Sequence, residues 1–220
     1  MRTVIAGGHG KIGLRLGRLL AGRGDEVVSL IRDPAQEDDV RRTGAEPVVC
    51  DLEKAGVEEV AALLVGADAA VFAAGAGAGS GVPRKDTVDR AAAVLLAEAA
   101  ERAGVRRLVQ ISSMGAGQPP QPGSDEVWAA YIDAKTAAEN DLQGRRDLDW
   151  TILRPGTLTD DPGTGRVTLS HPPVPPGRVS RDDVAAVIVE LLDTPGPHRH
   201  IVELVGGDVP VADAVRGLAS

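Results

Sequence analysis

The run Val4-Ile5-Ala6-Gly7-Gly8-His9-Gly10-Lys11-Ile12-Gly13 decides how the rest of the 220-residue chain is read. It starts as a short apolar strand, breaks at a turn dense in glycine, and continues as an amphipathic helix predicted from about Lys11 to Arg23. Gly7, Gly10 and Gly13 stand three apart, in the order G-x-x-G-x-x-G. Gly7 permits a sharp exit from the strand, Gly10 lets backbone approach a diphosphate, and Gly13 lets the helix pack closely on a sheet. Free amides at the helix N-terminus would hold the anion. His9, Lys11 and Ile12 belong to the same turn, where Lys11 would add a second positive contact; the other reading is that Lys11 and His9 merely face solvent. The competing reading is a strand–helix turn without a ligand, in a chain that carries 27 glycines. A strand before the turn and a helix after it favour the dinucleotide.

Outward from this turn, apolar strands are predicted at Glu26–Ile31, Pro47–Cys50, Ala69–Ala74, Arg107–Ile111 and Trp150–Leu153. Helices are predicted between them: a short one from Pro34 to about Thr43, then Lys54–Leu64, Arg84–Ala103 and Glu126–Gln143. Glycine–alanine (Gly75 to Gly81) and proline-rich (Gly117 to Gly123) stretches read as loops. Strands alternating with helices specify an α/β fold, a Rossmann-like doubly wound parallel sheet with ligands at the C-terminal strand ends. Arg32, Asp51, Gly75, Ser112-Ser113 and Pro155-Gly156 all fall at such ends. After residue 156 the rhythm loosens into a short strand at Arg166–Leu169, a helix at Arg181–Leu192, a strand at His200–Leu204 and a helix at Val211–Leu218. These elements, about 157–220, are expected to form a small C-terminal cap within one NAD(P)-binding domain spanning 1–220.

Hydrophobic residues make up 43% and charged residues 25%, the balance of a soluble globular chain. A net charge of -8 and the lack of a basic stripe argue against nucleic acid or an anionic membrane as partner. Cys50 is the only cysteine, so no intrachain disulfide is expected, and a reducing, cytoplasmic setting is the default. No apolar run reaches membrane-span length, and the N-terminus reads as a strand rather than a signal peptide. The four histidines, His198 and His200 among them, show no metal spacing, and no metal site is expected.

Arg32 stands where an NAD binder places an acid, about 20 residues past the glycine turn. An arginine there pairs with a 2′-phosphate and favours NADP; the other reading is a solvated side chain beside Asp33. Asp51 and Leu52 either bracket an adenine ring or cap the next helix. Tyr131 and Lys135 are four apart, on one helical face, in a chain with a single tyrosine. An ammonium beside a phenol stabilises the phenolate and makes the tyrosine a usable general acid/base. The alternative is an amphipathic tyrosine at the core edge beside a surface lysine. Ser112 and Ser113 end a strand, placed to hydrogen-bond a carbonyl oxygen. Asp89 either steadies the lysine through water or solvates a helix face. Cys50 reads as core.

The turn Gly7–Gly13, the pair Tyr131-Ile-Asp-Ala-Lys135 and the run Trp150-Thr-Ile-Leu-Arg-Pro-Gly156 together resemble the short-chain dehydrogenase/reductase superfamily. The resemblance is to its atypical NAD(P)-binding group, the epimerase/dehydratase-like proteins that include relatives of biliverdin reductase B and NmrA-like proteins. It runs from Met1 to about Leu192, with Val179–Val184 similar to the start of the family's cap helix. It implies Gly7, Gly10 and Gly13 on the pyrophosphate, Arg32 on the 2′-phosphate, and Asp51 and Leu52 about adenine. Ala73, Ala74 and Gly75 would line the ribose, and Pro155 and Gly156 would lie near nicotinamide, with Ser112 close by. Tyr131 would be the proton donor, Lys135 its partner and a ribose ligand, Ser113 the carbonyl-polarising serine, and Asp89 the replacement for a helix asparagine. The implied function is an NADP-dependent oxidoreductase, NAD being the other possible cofactor, that moves hydride to or from a small carbonyl or alcohol. A cofactor-sensing regulator of NmrA-like behaviour and a sugar epimerase or dehydratase are the alternatives. Substrate, reaction direction and the choice between monomer and homo-oligomer are left open.

Overall fold

The computed structural model of the chain describes residues 1–77, 79–119, 123, 125–194 and 199–219, the last by its backbone alone. Ala78, Pro120 to Pro122, Ser124, Pro195 to His198 and Ser220 lie outside them, and with them part of each predicted loop and the expectation for His198.

The elements run β1 (Arg2–Ala6), α1 (Lys11–Gly22), β2 (Glu26–Ile31), α2 (Glu37–Arg41), β3 (Glu46–Val49), α3 (Val57–Leu64) and β4 (Ala69–Phe72). The chain continues through α4 (Val82–Arg84), a π-helical segment (Lys85–Ala91), α5 (Ala92–Ala103), β5 (Arg107–Ile111), α6 (Glu126–Gly144) and β6 (Asp149–Pro155). It ends with β7 (Thr157–Thr159), β8 (Arg166–Ser170), β9 (Arg178–Ser180), α7 (Arg181–Asp193), β10 (His200–Gly206), β11 (Val209–Pro210) and α8 (Val211–Arg216).

A nine-stranded sheet takes the order β3-β2-β1-β4-β5-β6-β10-β8-β11. The seven strands from β3 to β10 are parallel, while β8 and β11 are added antiparallel. This is the doubly wound arrangement read from the strand–helix alternation. Its two apolar layers follow strand periodicity. Ile5, Val27, Val71, Val109 and Leu153 face α1, α7 and α8, whereas Val4, Val28, Phe72, Leu108 and Ile152 face α3, α5 and α6.

The region after β6, read from sequence as a small cap, also contributes to the sheet. Three of its strands extend the main sheet, and only the β7–β9 pair forms a separate two-stranded sheet. The reason is visible in β8, whose Val167 and Leu169 are buried while Arg166, Thr168 and Ser170 are exposed, the alternation of a strand with one covered face. The helix expected from Lys54 starts only at Val57, because Asp51 turns back on Glu53 and Gly56 occupies the N-cap. The chain leaves β1 towards β2 and β3 and returns to β4 on the other side of β1. That reversal opens a crevice at the C-terminal ends of β1 and β4, where ligands of such sheets bind.

Candidate functional site

The glycine turn fills this crevice. Gly7 takes φ +84°, which a side chain disfavours, and its amide and that of Gly8 both donate to the Leu30 carbonyl, at 3.2 and 3.1 Å. The Gly7 carbonyl accepts from Gly10 N–H at 2.9 Å, and a Cβ on Gly13 would lie 2.4 Å from that same oxygen. Gly13 is thus required by contact between helix and turn, where the sequence reading had placed its contact with the sheet. Gly8, which the sequence reading left without a role, lies against β2: a Cβ there would meet Ser29 Cβ at 2.3 Å. The Gly-Gly doublet was the only signal for it. Gly10 caps α1 without a side-chain hydrogen bond, and no acid occupies the first turn. The first-turn amides therefore have no side-chain competitor for an anion.

A cleft of about 280 Å³ opens beside the turn. Gly7, His9, Gly10, Arg32, Asp51, Leu52, Ala73, Ala74 and Gly75 all line it, so the structure brings these predicted residues together. His9 Nε2 lies 2.9 Å from Asp39 Oδ2, and this hydrogen bond is the largest cause holding the Asp39 carboxyl below its usual range. Arg32 lies 3.9 Å from Glu53, a carboxylate also bound by Arg84 at 2.5 Å and by the Thr87 hydroxyl at 2.7 Å. The Thr87 hydrogen bond leads the causes that hold Glu53 below the ordinary glutamate range. Asp33 is engaged elsewhere, accepting from Ala35 N–H at 2.9 Å. Cys50 lines the cleft from a buried position, and burial pushes its thiol up.

Other predicted residues lie outside this cleft. Lys11 swings to Asp160 at 2.5 Å, drawn by a carboxylate that also meets Arg181 and Arg15. Ile12 is core. Gly156 is packed against the Gly177 carbonyl, 2.4 Å from where its Cβ would sit, and Pro155 accepts from Met114 N–H at 3.1 Å.

Tyr131 and Lys135 gather with two further residues on the far side of the 73–77 loop. Lys135 is buried, its Nζ donating to the Ile111 carbonyl at 3.1 Å and lying 3.3 Å from Asp89 Oδ1. It stands 5.7 Å from the centroid of the Tyr131 ring. Asp89 is fully covered, so it solvates no helix face, and its Oδ1 lies within ion-pair distance of the lysine without a hydrogen bond among the described residues. Its second oxygen accepts from Ala76 N–H at 3.3 Å, tying the group to the cleft's wall. Lys85, unremarked in the sequence, is buried with Nζ 5.3 Å from the same ring. Its rarity was the available signal, since the chain has only four lysines. Ser112 buries a hydroxyl that has no partner among the described residues, whereas the Ser113 hydroxyl donates to the Met114 carbonyl at 3.2 Å.

The model of a family described as NAD(P)H-binding matches residues 7–195. The chain belongs to that family. It is 34% identical over 219 residues to a Bacillus subtilis protein named as an uncharacterized sugar epimerase, YhfK, covering 99% of this chain and 100% of that one. The solved structure of a putative NAD-dependent epimerase/dehydratase from Bacillus halodurans superposes with a TM-score of 0.89 at 34% identity, covering 99% and 100% of the two chains. ChuY, an anaerobillin reductase from Escherichia coli, gives 0.77 at 29% identity, covering 95% and 98%. The fold of this NAD(P)H-binding protein is therefore that of the epimerase/dehydratase-like short-chain reductases. The residues present fit a nicotinamide dinucleotide: an uncapped helix of twelve residues, a turn with no space for side chains at Gly7 and Gly13, and a cleft running from it to Arg32. Among the described residues no helix is long and apolar enough to cross a membrane.

Proposed function

We propose that the protein is an NADP-dependent oxidoreductase that reduces a small carbonyl compound or oxidises the corresponding alcohol. The observation that carries this reading is the Tyr131 ring beside Lys135, whose ammonium is fixed by Asp89 and the Ile111 carbonyl. The nicotinamide, when bound, supplies or accepts the hydride. Tyr131 gives its hydroxyl proton to the substrate oxygen as the carbonyl carbon is reduced, and takes it back in the reverse direction. Lys135 stabilises the negative charge left on the phenol oxygen, and Asp89 holds the lysine in place. Ser113 is the polarising serine proposed from the sequence, and the unpartnered Ser112 hydroxyl is available to the same oxygen. Arg32, with Arg84 beside it, supports a preference for the 2′-phosphate of NADP, Glu53 keeping both guanidinium groups at the cleft.

The names of the Bacillus relatives favour one other reading, a sugar epimerase that keeps its cofactor through turnover. Two measurements separate them. NADPH oxidation with a panel of carbonyl compounds is expected, and Tyr131→Phe should lower it about a hundredfold or more while cofactor affinity stays near the parent value. Fluorescence titration should show NADPH binding tighter than NADH, a difference that Arg32→Ala erases. Equal affinities in the parent protein overturn the NADP assignment, and cofactor binding without any oxidation overturns the reductase.

A further inference from the structure

Lys85 is buried, 8% exposed, and among the described residues its ammonium has one hydrogen-bond acceptor, the Gly77 carbonyl at 3.1 Å. Among the described residues it forms no ion pair. The carboxylate nearest this group in function, Asp89, is committed to Lys135 and to the Ala76 amide. Two ammonium groups thus flank the Tyr131 ring, at 5.3 and 5.7 Å, against one carboxylate. A buried cation without a counter-charge opposes folding strongly, and such groups are found paired. Lys85 also keeps donor capacity unused, since an ammonium has three N–H groups. An anionic group on a ligand would match this charge.

The surroundings define its shape. Phe72, Trp128 and Tyr131 are three of the chain's four aromatic residues. Trp128 is half exposed with its ring 5.4 Å from that of Tyr131, and Phe72 lies under Lys135 at 5.6 Å. Elsewhere the core is built mainly from aliphatic side chains, with Trp150 its other buried aromatic residue. Aromatic faces at the edge of a wet site suit a flat or apolar body whose charged end reaches a cation.

We propose that Lys85 is a specificity-determining residue that receives a carboxylate of the substrate, so that the preferred substrates are carbonyl acids with a planar or apolar body lying on Trp128. This rests on the oxidoreductase reading for its catalytic meaning, but its test reads binding. The NADPH-loaded protein is titrated calorimetrically with benzoate and with benzamide, which share the ring and differ in charge. Benzoate is expected to bind about tenfold or more tightly than benzamide. Lys85→Gln, which keeps a donor for Gly77 but no charge, should bring the ratio close to one, and Lys85→Arg should keep it. Equal binding of the two probes, a ratio unchanged in Lys85→Gln, or no benzoate binding at any soluble concentration overturns the proposal. A purely structural Lys85 would weaken NADPH binding through Gly77, a cleft residue, and affect both probes alike. If NADPH itself does not bind, the oxidoreductase reading fails, and the same titration on the cofactor-free protein still decides the role of Lys85.

Discussion

Arg154 and Glu139 give the sharpest test of how this fold holds its site. Arg154 lies on β6, directly before Pro155, and Glu139 lies on α6, two turns after Tyr131. Arg154 Nε donates to Glu139 Oε1 at 2.9 Å and Nη2 to Oε2, a bidentate pair whose carboxylate is fully covered. The guanidinium also packs against Gly117, where a Cβ would lie 2.7 Å from Nη2. Two unit charges about 4 Å apart attract by about 4 kcal/mol at an effective dielectric of about 20. That attraction is offset by desolvation of both ions, so the pair as a whole contributes little net stability. Removing one member is different. Glu139→Gln leaves a buried guanidinium facing a neutral amide, and a cost of about 3–5 kcal/mol is expected. For a chain of this size that is a fall of roughly 6–20 °C in melting temperature. Replacing both members, Glu139→Leu with Arg154→Met, should cost less than either single change. Urea unfolding of the parent, the two single variants and the double variant gives the coupling directly. A cost below about 1 kcal/mol for Glu139→Gln, or a double variant as unstable as the sum of the singles, refutes the argument.

Gly8→Ala should destabilise by about 1–3 kcal/mol through overpacking against Ser29. Ser29→Gly in the same chain should recover part of that loss in thermal unfolding, and no recovery would mean that the clash is not the cause. Glu53 has a folded carboxyl below its ordinary value, led by the Thr87 hydrogen bond. Its stabilisation is therefore present above its unfolded value of about 4.3 and is lost as pH falls through the lower folded value. Glu53→Gln should melt below the parent at about pH 7 and together with it near about pH 3; a gap that persists in acid contradicts the assignment.

The parts of the fold legible in the sequence were those written in local periodicity. The apolar strands, the helices between them and the glycine turn each carry their signal within a dozen residues. Tyr131 and Lys135 were legible for the same reason, being one helical turn apart. Glu139 continues that spacing from Lys135, but its partner is fifteen residues on, in another element. An arginine inside the apolar run Thr151-Ile-Leu-Arg154 was the one local sign of it. Lys85 was missed because the buried face of the π-helical segment Lys85–Ala91 carries Lys85 and Asp89 beside Val88, so charge rather than an apolar stripe occupies it. No residue pattern in the chain announces that segment. The strands β7 and β9, three residues each, are too short to show alternation, and their pairing depends on contacts distant in sequence. Lys11 went to Asp160, a partner 149 residues away that local reading could not supply.

The 73–77 segment links the glycine turn to the tyrosine group, although only the turn lines the cleft. Its first amide, Ala73 N–H, donates to the Ala6 carbonyl at 2.9 Å, continuing the β1–β4 pairing. Ala74 then leaves so little room beside Gly7 that a Cβ there would come within 2.6 Å of its backbone. Two residues later Ala76 N–H is held by Asp89, and the Gly77 carbonyl accepts from Lys85. A single backbone segment is thus positioned by the strand that carries the glycine turn at one end and by the π-helical segment facing Tyr131 at the other. Asp89 joins the ends again through Lys135. A change in either end has to displace the shared backbone, so a dinucleotide seated against Gly75 would keep a fixed register with the proposed acid–base pair, Tyr131 and Lys135.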